Sequence, residues 1–124
     1  MEAAHEGRPT PSLLIVDDDL NLLRLIRTLF RAEGYEAYAV SSGEDALHAL
    51  SDKSFDAIIL DLRMPGMDGR TLFRELRSRG IMTPILIASA HGAREARMDL
   101  GAQAAIEKPF EPARLLQAVA SLVR

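Results

Sequence analysis

The sequence predicts an α/β protein built on a parallel sheet, and three observations carry that prediction. From Ser12 onward, short apolar runs alternate five times with helix-period patterns, which is how repeated βα units read in a sequence. Three of the five runs are apolar without interruption, as strands covered on both faces must be, and the other two mix apolar with polar residues, as edge strands do. Four of the five runs end in a polar or charged residue, so the chemistry gathers at one rim. At 124 residues the chain suits one domain with a single modest core. With 48% apolar and 27% charged residues and a mean hydropathy near zero, collagen-like, mucin-like and wholly disordered classes are excluded.

Residues 1–11 mix charges, Gly, Ala and Pro without periodicity and read as a mobile tail, leaving 12–124 for the folded domain. The first strand is Ser12-Leu13-Leu14-Ile15-Val16, followed by a helix from about Leu20 to Glu33 with Leu22, Leu25/Ile26, Leu29 and Phe30 at helical spacing and Gly34 as its stop. The second strand, about Tyr35 to Val40, alternates, and Ser41-Ser42-Gly43-Glu44 supplies capping chemistry for a helix to about Leu50. The third, Ala57-Ile58-Ile59-Leu60, ends in Asp61, and the loop Met64-Pro65-Gly66-Met67-Asp68-Gly69 leads to a helix ending near Arg79-Gly80. Pro84 opens the fourth, Ile85-Leu86-Ile87-Ala88, and a short helix follows Ser89-Ala90-His91-Gly92 and stops at Gly101. The fifth, about Gln103 to Glu107, is short and partly polar, and Pro112 starts the last helix. Interior first, third and fourth strands between edge-type second and fifth strands agree with sheet order 2-1-3-4-5, the flavodoxin-like (βα)5 three-layer sandwich.

The balance of 15 basic against 18 acidic residues, net −3, offers no electrostatic grip on nucleic acid or an anionic membrane. The absence of cysteine removes disulfides, thiolate zinc sites, iron–sulfur clusters and thiol nucleophiles. Neither a secretory h-region near Met1 nor a run approaching about 18 apolar residues is present, so a soluble, unexported protein is expected. Arginine outnumbers lysine 13 to 2, and Lys108 is one of the two lysines.

In a sheet of this order, sites lie beyond the carboxyl ends of the strands, at the switch point between the first and third. The first strand ends in Asp17-Asp18-Asp19, the third in Asp61, the fourth in Ser89 and the fifth in Lys108. Carboxylates gathered there repel one another, which raises their pKa values or demands a counter-cation. A hard divalent ion satisfies them: Mg2+ takes oxygen ligands at roughly 2.0 to 2.1 Å and is commonly held by one or two carboxylates and a phosphate. Asp17 and Asp18 can supply such ligands, Asp61 can attack phosphorus, and Lys108 and Ser89 can neutralise and hydrogen-bond phosphoryl oxygens. The product is an acyl phosphate on Asp61.

Leu14-Ile15-Val16-Asp17-Asp18-Asp19, Asp61-Leu62-Arg63-Met64-Pro65-Gly66-Met67-Asp68-Gly69, Ser89-Ala90 and Lys108-Pro109-Phe110 resemble the receiver domains of two-component response regulators, over Ser12 to Arg124. Each motif alone is weak; all four in order on successive strand ends are specific. The resemblance implies that Asp17 and Asp18 are the acidic metal pair, Asp61 the phosphoacceptor and a metal ligand, and Arg63 the donor of a backbone carbonyl to the metal. It further implies that Ser89 is the switch hydroxyl, Lys108 the phosphate-sensing lysine, and His91 and Arg63 modulators of phosphate lifetime. The implied cofactor is Mg2+, with Mn2+ an alternative. The implied partners are a sensor histidine kinase or histidine phosphotransfer protein, docking near the first helix at Leu22, Leu23 and Ile26, and an effector protein or an output domain outside this chain. A weak homodimer is compatible with it; direct nucleic-acid or membrane binding is not expected, and the expected location is the cytoplasm. Such a domain is no enzyme in the ordinary sense, since it promotes only its own phosphorylation and dephosphorylation. The bond before Pro109 is expected to be cis.

Taken singly, these residues have blander readings: Asp19 as a helix cap, Asp61 as a loop acid, Ser89 as a turn residue, Lys108 as a surface charge. Their joint placement outweighs those readings, except at Asp19, which we keep as a cap. Asp68-Gly69 reads as turn and helix-start chemistry, Met64 and Met67 as loop packing, and His5 and His48 as surface residues. Two features depart from the family. Ala105 stands where a Tyr or Phe is general, so no ring can swing inward there, and Ser89 to Gly101 is about one turn short. Two rival readings stay open: a pseudo-receiver acting by constitutive contacts, and a phosphohydrolase using Asp61 on small phosphate esters.

Overall fold

The computed structural model describes residues 10–123; residues 1–9 of the expected tail, including His5, and Arg124 lie outside the described residues. Five βα units follow one another: β1 (Ser12–Val16), α1 (Leu20–Ala32), β2 (Glu36–Val40), α2 (Gly43–Asp52), β3 (Ala57–Asp61), α3 (Gly69–Ser78), β4 (Ile85–Ser89), α4 (Ala93–Leu100), β5 (Ala104–Glu107) and α5 (Pro112–Val123). The strands form one parallel sheet in the order β2-β1-β3-β4-β5, as the burial pattern of the sequence predicts. Every residue of β1, β3 and β4 is buried, whereas β2 and β5 are only partly covered.

Alternation along the interior strands divides the core in two. Leu13, Ile15, Ala57, Ile59, Leu86 and Ala88 pack toward α1 and α5, meeting Leu23, Ile26, Phe30, Leu115 and Val119. Leu14, Val16, Ile58, Leu60, Ile85 and Ile87 point the other way, onto Ala46 of α2, Leu72, Phe73 and Leu76 of α3, and Ala93 and Ala96 of α4. Each fully buried Leu, Ile or Phe contributes about 1.5–3 kcal/mol, and shifting any strand by one residue would exchange the two faces. These layers hold the strand ends, and hence the rim, in place.

The edges differ from the sequence reading by a residue. Tyr35 lies before β2, where its N–H donates to the Phe30 carbonyl (3.0 Å) and its ring stands edge-on to Phe30 at 5.0 Å. Gln103 lies before β5, where its N–H donates to the Ile85 carbonyl (3.2 Å) and its side-chain oxygen accepts the Ile85 N–H (2.9 Å). Pro11 already belongs to the sheet surroundings: its carbonyl accepts the Glu36 N–H at 2.9 Å.

α4, with eight residues, is the shortest helix, as the spacing predicts; Gly92 and Gly101 flank it, both in the left-handed region. On α1, Asp19 is the cap, its carboxylate accepting from the Asn21 and Leu22 N–H groups at 3.1 and 3.2 Å. Asp19→Ala is expected to cost about 1 kcal/mol, read as a lower urea midpoint with an unchanged slope. Among the described residues no helix is long and apolar enough to cross a membrane.

Candidate functional site

Strand geometry delivers the site. A parallel sheet aims all its carboxyl ends at one rim, and the two connections leaving β1 and β3 diverge to opposite faces, opening a crevice between them. Asp17 follows β1, its N–H held by the Val40 carbonyl (3.2 Å), and Asp61 ends β3 paired with Ala88. Both are nearly inaccessible, at 3% and 5% exposure, while Asp18 faces solvent. One ligand oxygen from each of Asp17, Asp18 and Asp61 lies within 4.8 Å of the others, a spacing that can hold one metal ion.

Lys108 reaches in from the end of β5. Its ammonium donates to Asp17 Oδ2 at 2.6 Å and more loosely to Asp61 Oδ1 at 3.3 Å. The Lys108 N–H donates to the Ser89 carbonyl (2.9 Å), and the following Lys108–Pro109 bond is cis, as expected. Burial pushes the Asp61 carboxyl above the usual range, and the neighbouring Asp17 charge pushes it further, against the downward pull of Lys108. For Lys108, burial disfavours the ammonium, but its hydrogen bond and attraction to Asp17, with those to Asp61, prevail and raise its pKa. Two buried acids thus share one ammonium, and with Asp18 the cluster is two positive charges short. An all-oxygen donor set with surplus negative charge fits a hard divalent cation.

Ser89 is buried, but its hydroxyl is engaged locally: Oγ donates to the His91 carbonyl at 3.0 Å. His91 therefore borders the site through its backbone, with its side chain exposed. Arg63 is also exposed, and its backbone N–H is aimed at the Asp61 carboxylate. Ala105 of β5, paired with Ile87 of β4, sits at the wall of a cleft of about 940 Å3 lined also by Arg94, Arg97, Ile106, Phe110 and Arg114. Met64 is buried in the core and Met67 packs against it, as loop packing predicts.

One expectation is corrected. Leu23 offers no docking surface, because it is buried at 5% exposure in the layer beneath α1, and Ile26, at 2%, reaches the surface only as part of a groove wall. The exposed apolar surface of α1 comes mainly from its neighbours in the same run. Leu22, Leu25 and Leu29, with Pro109 and Phe110, line a groove of about 370 Å3 that opens beside Lys108. The sequence reading also missed Gly69, which is buried against the end of β3 and donates its N–H to the Leu62 carbonyl at 2.9 Å. An Asp-Gly pair is so common at turns that nothing in the sequence distinguishes this contact.

A flavodoxin-like sheet with three acids, a lysine and a serine at its switch point defines a class of signalling domain in which the rim, rather than an enclosed pocket, carries the chemistry. The chain belongs to the response regulator receiver domain family, whose description matches residues 13–120. It is 40% identical over 120 residues to Protein PetR of Rhodobacter capsulatus, an alignment covering 92% of this chain and 49% of that protein. Among solved structures, a putative response regulator from Chloroflexus aurantiacus superposes with TM-score 0.86 at 36% identity, covering 93% of this chain and 98% of that one. The Francisella response regulator 1452 receiver domain gives TM-score 0.86 at 30% identity, covering 92% and 97%. The chain spans about half or less of the length of the curated relatives it matches, from 22% to 52%.

Proposed function

We propose that Asp61 is the phosphoacceptor of this receiver domain, which takes a phosphoryl group from a sensor histidine kinase or histidine phosphotransfer protein. The observation that carries this reading is the placement of a nearly inaccessible carboxylate within reach of both a second acid and the Lys108 ammonium. An Asp61 carboxylate oxygen attacks phosphorus, a P–O bond forms as the P–N bond to the donor imidazole breaks, and the imidazole leaves neutral, keeping the proton already on its other ring nitrogen. Lys108 then follows the charge: its 3.3 Å contact with Asp61 places an ammonium where phosphoryl oxygens develop. Asp17, Asp18, Asp61 and the Arg63 backbone carbonyl would hold Mg2+, with Mn2+ as a substitute. When bound, the ion supplies the missing positive charge beside the phosphoryl oxygens.

The domain acts only on itself and signals by shifting a two-state surface. We take it to span 12–124 behind a tail of residues 1–11 and to work in the cytoplasm. It would report to an effector protein or to an output domain outside this chain, without touching nucleic acid or membrane itself. The apolar groove of Leu22, Leu25 and Leu29 beside Lys108 is where the kinase or phosphotransfer helix would seat. Ala105 has no ring to move, so readout runs through Ser89 releasing the His91 carbonyl and turning to the phosphoryl group, which shifts the loop into α4. Amide resonances from Ala90 to Glu107 should move on phosphorylation; spectra identical before and after would exclude this route.

The test of the acceptor is incubation with acetyl phosphate and Mg2+ followed by intact mass. A stoichiometric, Mg2+-dependent phosphoryl adduct is expected. No adduct would favour a pseudo-receiver, and turnover of a generic phosphate ester would favour a phosphohydrolase.

A further inference from the structure

We propose that Gly69 is a positioning residue for the phosphoacceptor: the first turn of α3, bare of a side chain at this point, clamps the end of β3 and so sets where Asp61 stands. This rests on Asp61 being the acceptor. Gly69 has no need of an unusual backbone angle; what it needs is room. A Cβ built on it would overlap the Asp61 carbonyl oxygen and lie 2.7 Å from Leu62 Cα and 3.0 Å from the Asp61 carbonyl carbon. All three are backbone atoms, so no rotamer change can relieve the overlap. Ordinary contact begins at 3.4 Å, so α3 and β3 would have to part by about 0.7 Å at Leu62 and by more at the Asp61 carbonyl.

One bond holds the turn against the strand, and a second braces the turn itself. The Gly69 N–H donates to the Leu62 carbonyl at 2.9 Å, and Asp68 caps α3 by accepting the Thr71 N–H at 2.9 Å. The strand end that they clamp carries the Asp61 carboxylate, and two residues on lies Arg63, whose backbone also faces the site. Displacement by about 1 Å of a reacting group can cost on the order of a hundredfold in rate.

The experiment compares phosphorylation rates of the full chain with acetyl phosphate at saturating Mg2+, per folded molecule, and the Mg2+ dependence of each variant. Gly69→Ala is expected to be phosphorylated about tenfold or more slowly than the parent, with amide shifts centred on Leu62 and Arg63. Gly80→Ala is the control: that glycine also cannot be replaced without strain, at φ +79°, but has open space around it and lies at the far end of α3. It should lose stability and keep its rate within about twofold. Equal rates for Gly69→Ala and the parent, or an equal loss in Gly80→Ala, would overturn the proposal. If Gly69→Ala does not fold, Asp68→Ala loosens the same turn without adding an atom, and Ser42→Ala removes the matching cap from α2. A several-fold slower rate only in Asp68→Ala supports the clamp, and matched rates overturn it. An absent adduct on the parent chain would instead overturn the acceptor reading, and this one with it.

Discussion

Asp61→Asn is expected to abolish the phosphoryl adduct completely and, in chelator at neutral pH, to make the domain more stable. The first half follows from nucleophilicity, since an amide oxygen cannot replace a carboxylate at phosphorus. The second half follows from the environment: Asp61 is buried and faces Asp17, and these two effects hold its pKa above the ordinary value of 3.8 despite Lys108. The sign is therefore that of a raised acid. Its contribution to stability is fully present below the unfolded pKa near 3.8 and is lost as pH rises through the folded pKa, so at pH 7 the ionised group is a cost. A neutral isostere removes that cost while Lys108 keeps its 2.6 Å contact with Asp17, so the melting temperature should rise, by about 3–5 °C for each kcal/mol relieved. Melts in chelator should converge as pH falls toward 4. Addition of Mg2+ should stabilise the parent and leave the variant behind, since a ligand that binds only the folded state adds RT ln(1 + [L]/Kd). A residual adduct on Asp61→Asn, or a lower melting temperature in chelator, would contradict this account.

The second large effect is the loss of the Lys108 ammonium from the crevice. Lys108→Met keeps the stem's volume and removes the ammonium, leaving Asp17 and Asp61 facing each other with side chains only 4% and 6% exposed. Breaking a buried pair by deleting one partner costs about 3 kcal/mol, and the melting temperature in chelator should fall by about 10 °C. The raised Lys108 pKa means that its own titration leaves the ammonium's contribution intact below the unfolded 10.5 and removes it as pH rises through the folded value, so the loss should be visible across the neutral range, where the carboxylates it faces are charged. Mg2+ should rescue the variant by more than it stabilises the parent, because the ion then has no ammonium to compete with. Asp17→Asn added to Lys108→Met should restore part of the stability, and a double-mutant cycle measures how much belongs to the 2.6 Å contact. Equal melting temperatures for Lys108→Met and the parent in chelator would show that the pair carries no net stabilisation.

Both variants act on residues that could be read in the chain. Apolar runs such as Ala57-Ile58-Ile59-Leu60 mark interior strands because no other element of that length buries both faces, and the mixed runs at Tyr35 and Gln103 mark edges for the converse reason. The reading weakened where two geometries satisfy the same pattern. In Leu22-Leu23-Arg24-Leu25-Ile26, four apolar residues leave the phase of the helix ambiguous by about one position, and α1 turned Leu23 and Ile26 inward and Leu25 outward. Gly69 illustrates a second kind of silence. An Asp-Gly pair announces a turn, and whether the glycine is needed for its backbone angle or for room against a neighbouring strand depends on atoms of Asp61 and Leu62.

The sequence by itself determined the order of elements, the split between interior and edge strands, and which side chains reach the rim, because periodicity and strand-end position are local properties of the chain. Only the tertiary structure decided how those groups interact. Lys108 lies 91 residues from Asp17 and 47 from Asp61, yet it bonds the first at 2.6 Å and the second at 3.3 Å. Coulomb energy and desolvation depend on such separations and on burial, and the layers packed on both faces of the sheet set them. The same list of acids and one lysine, spaced a few ångströms farther apart in water, would be an ordinary solvated surface.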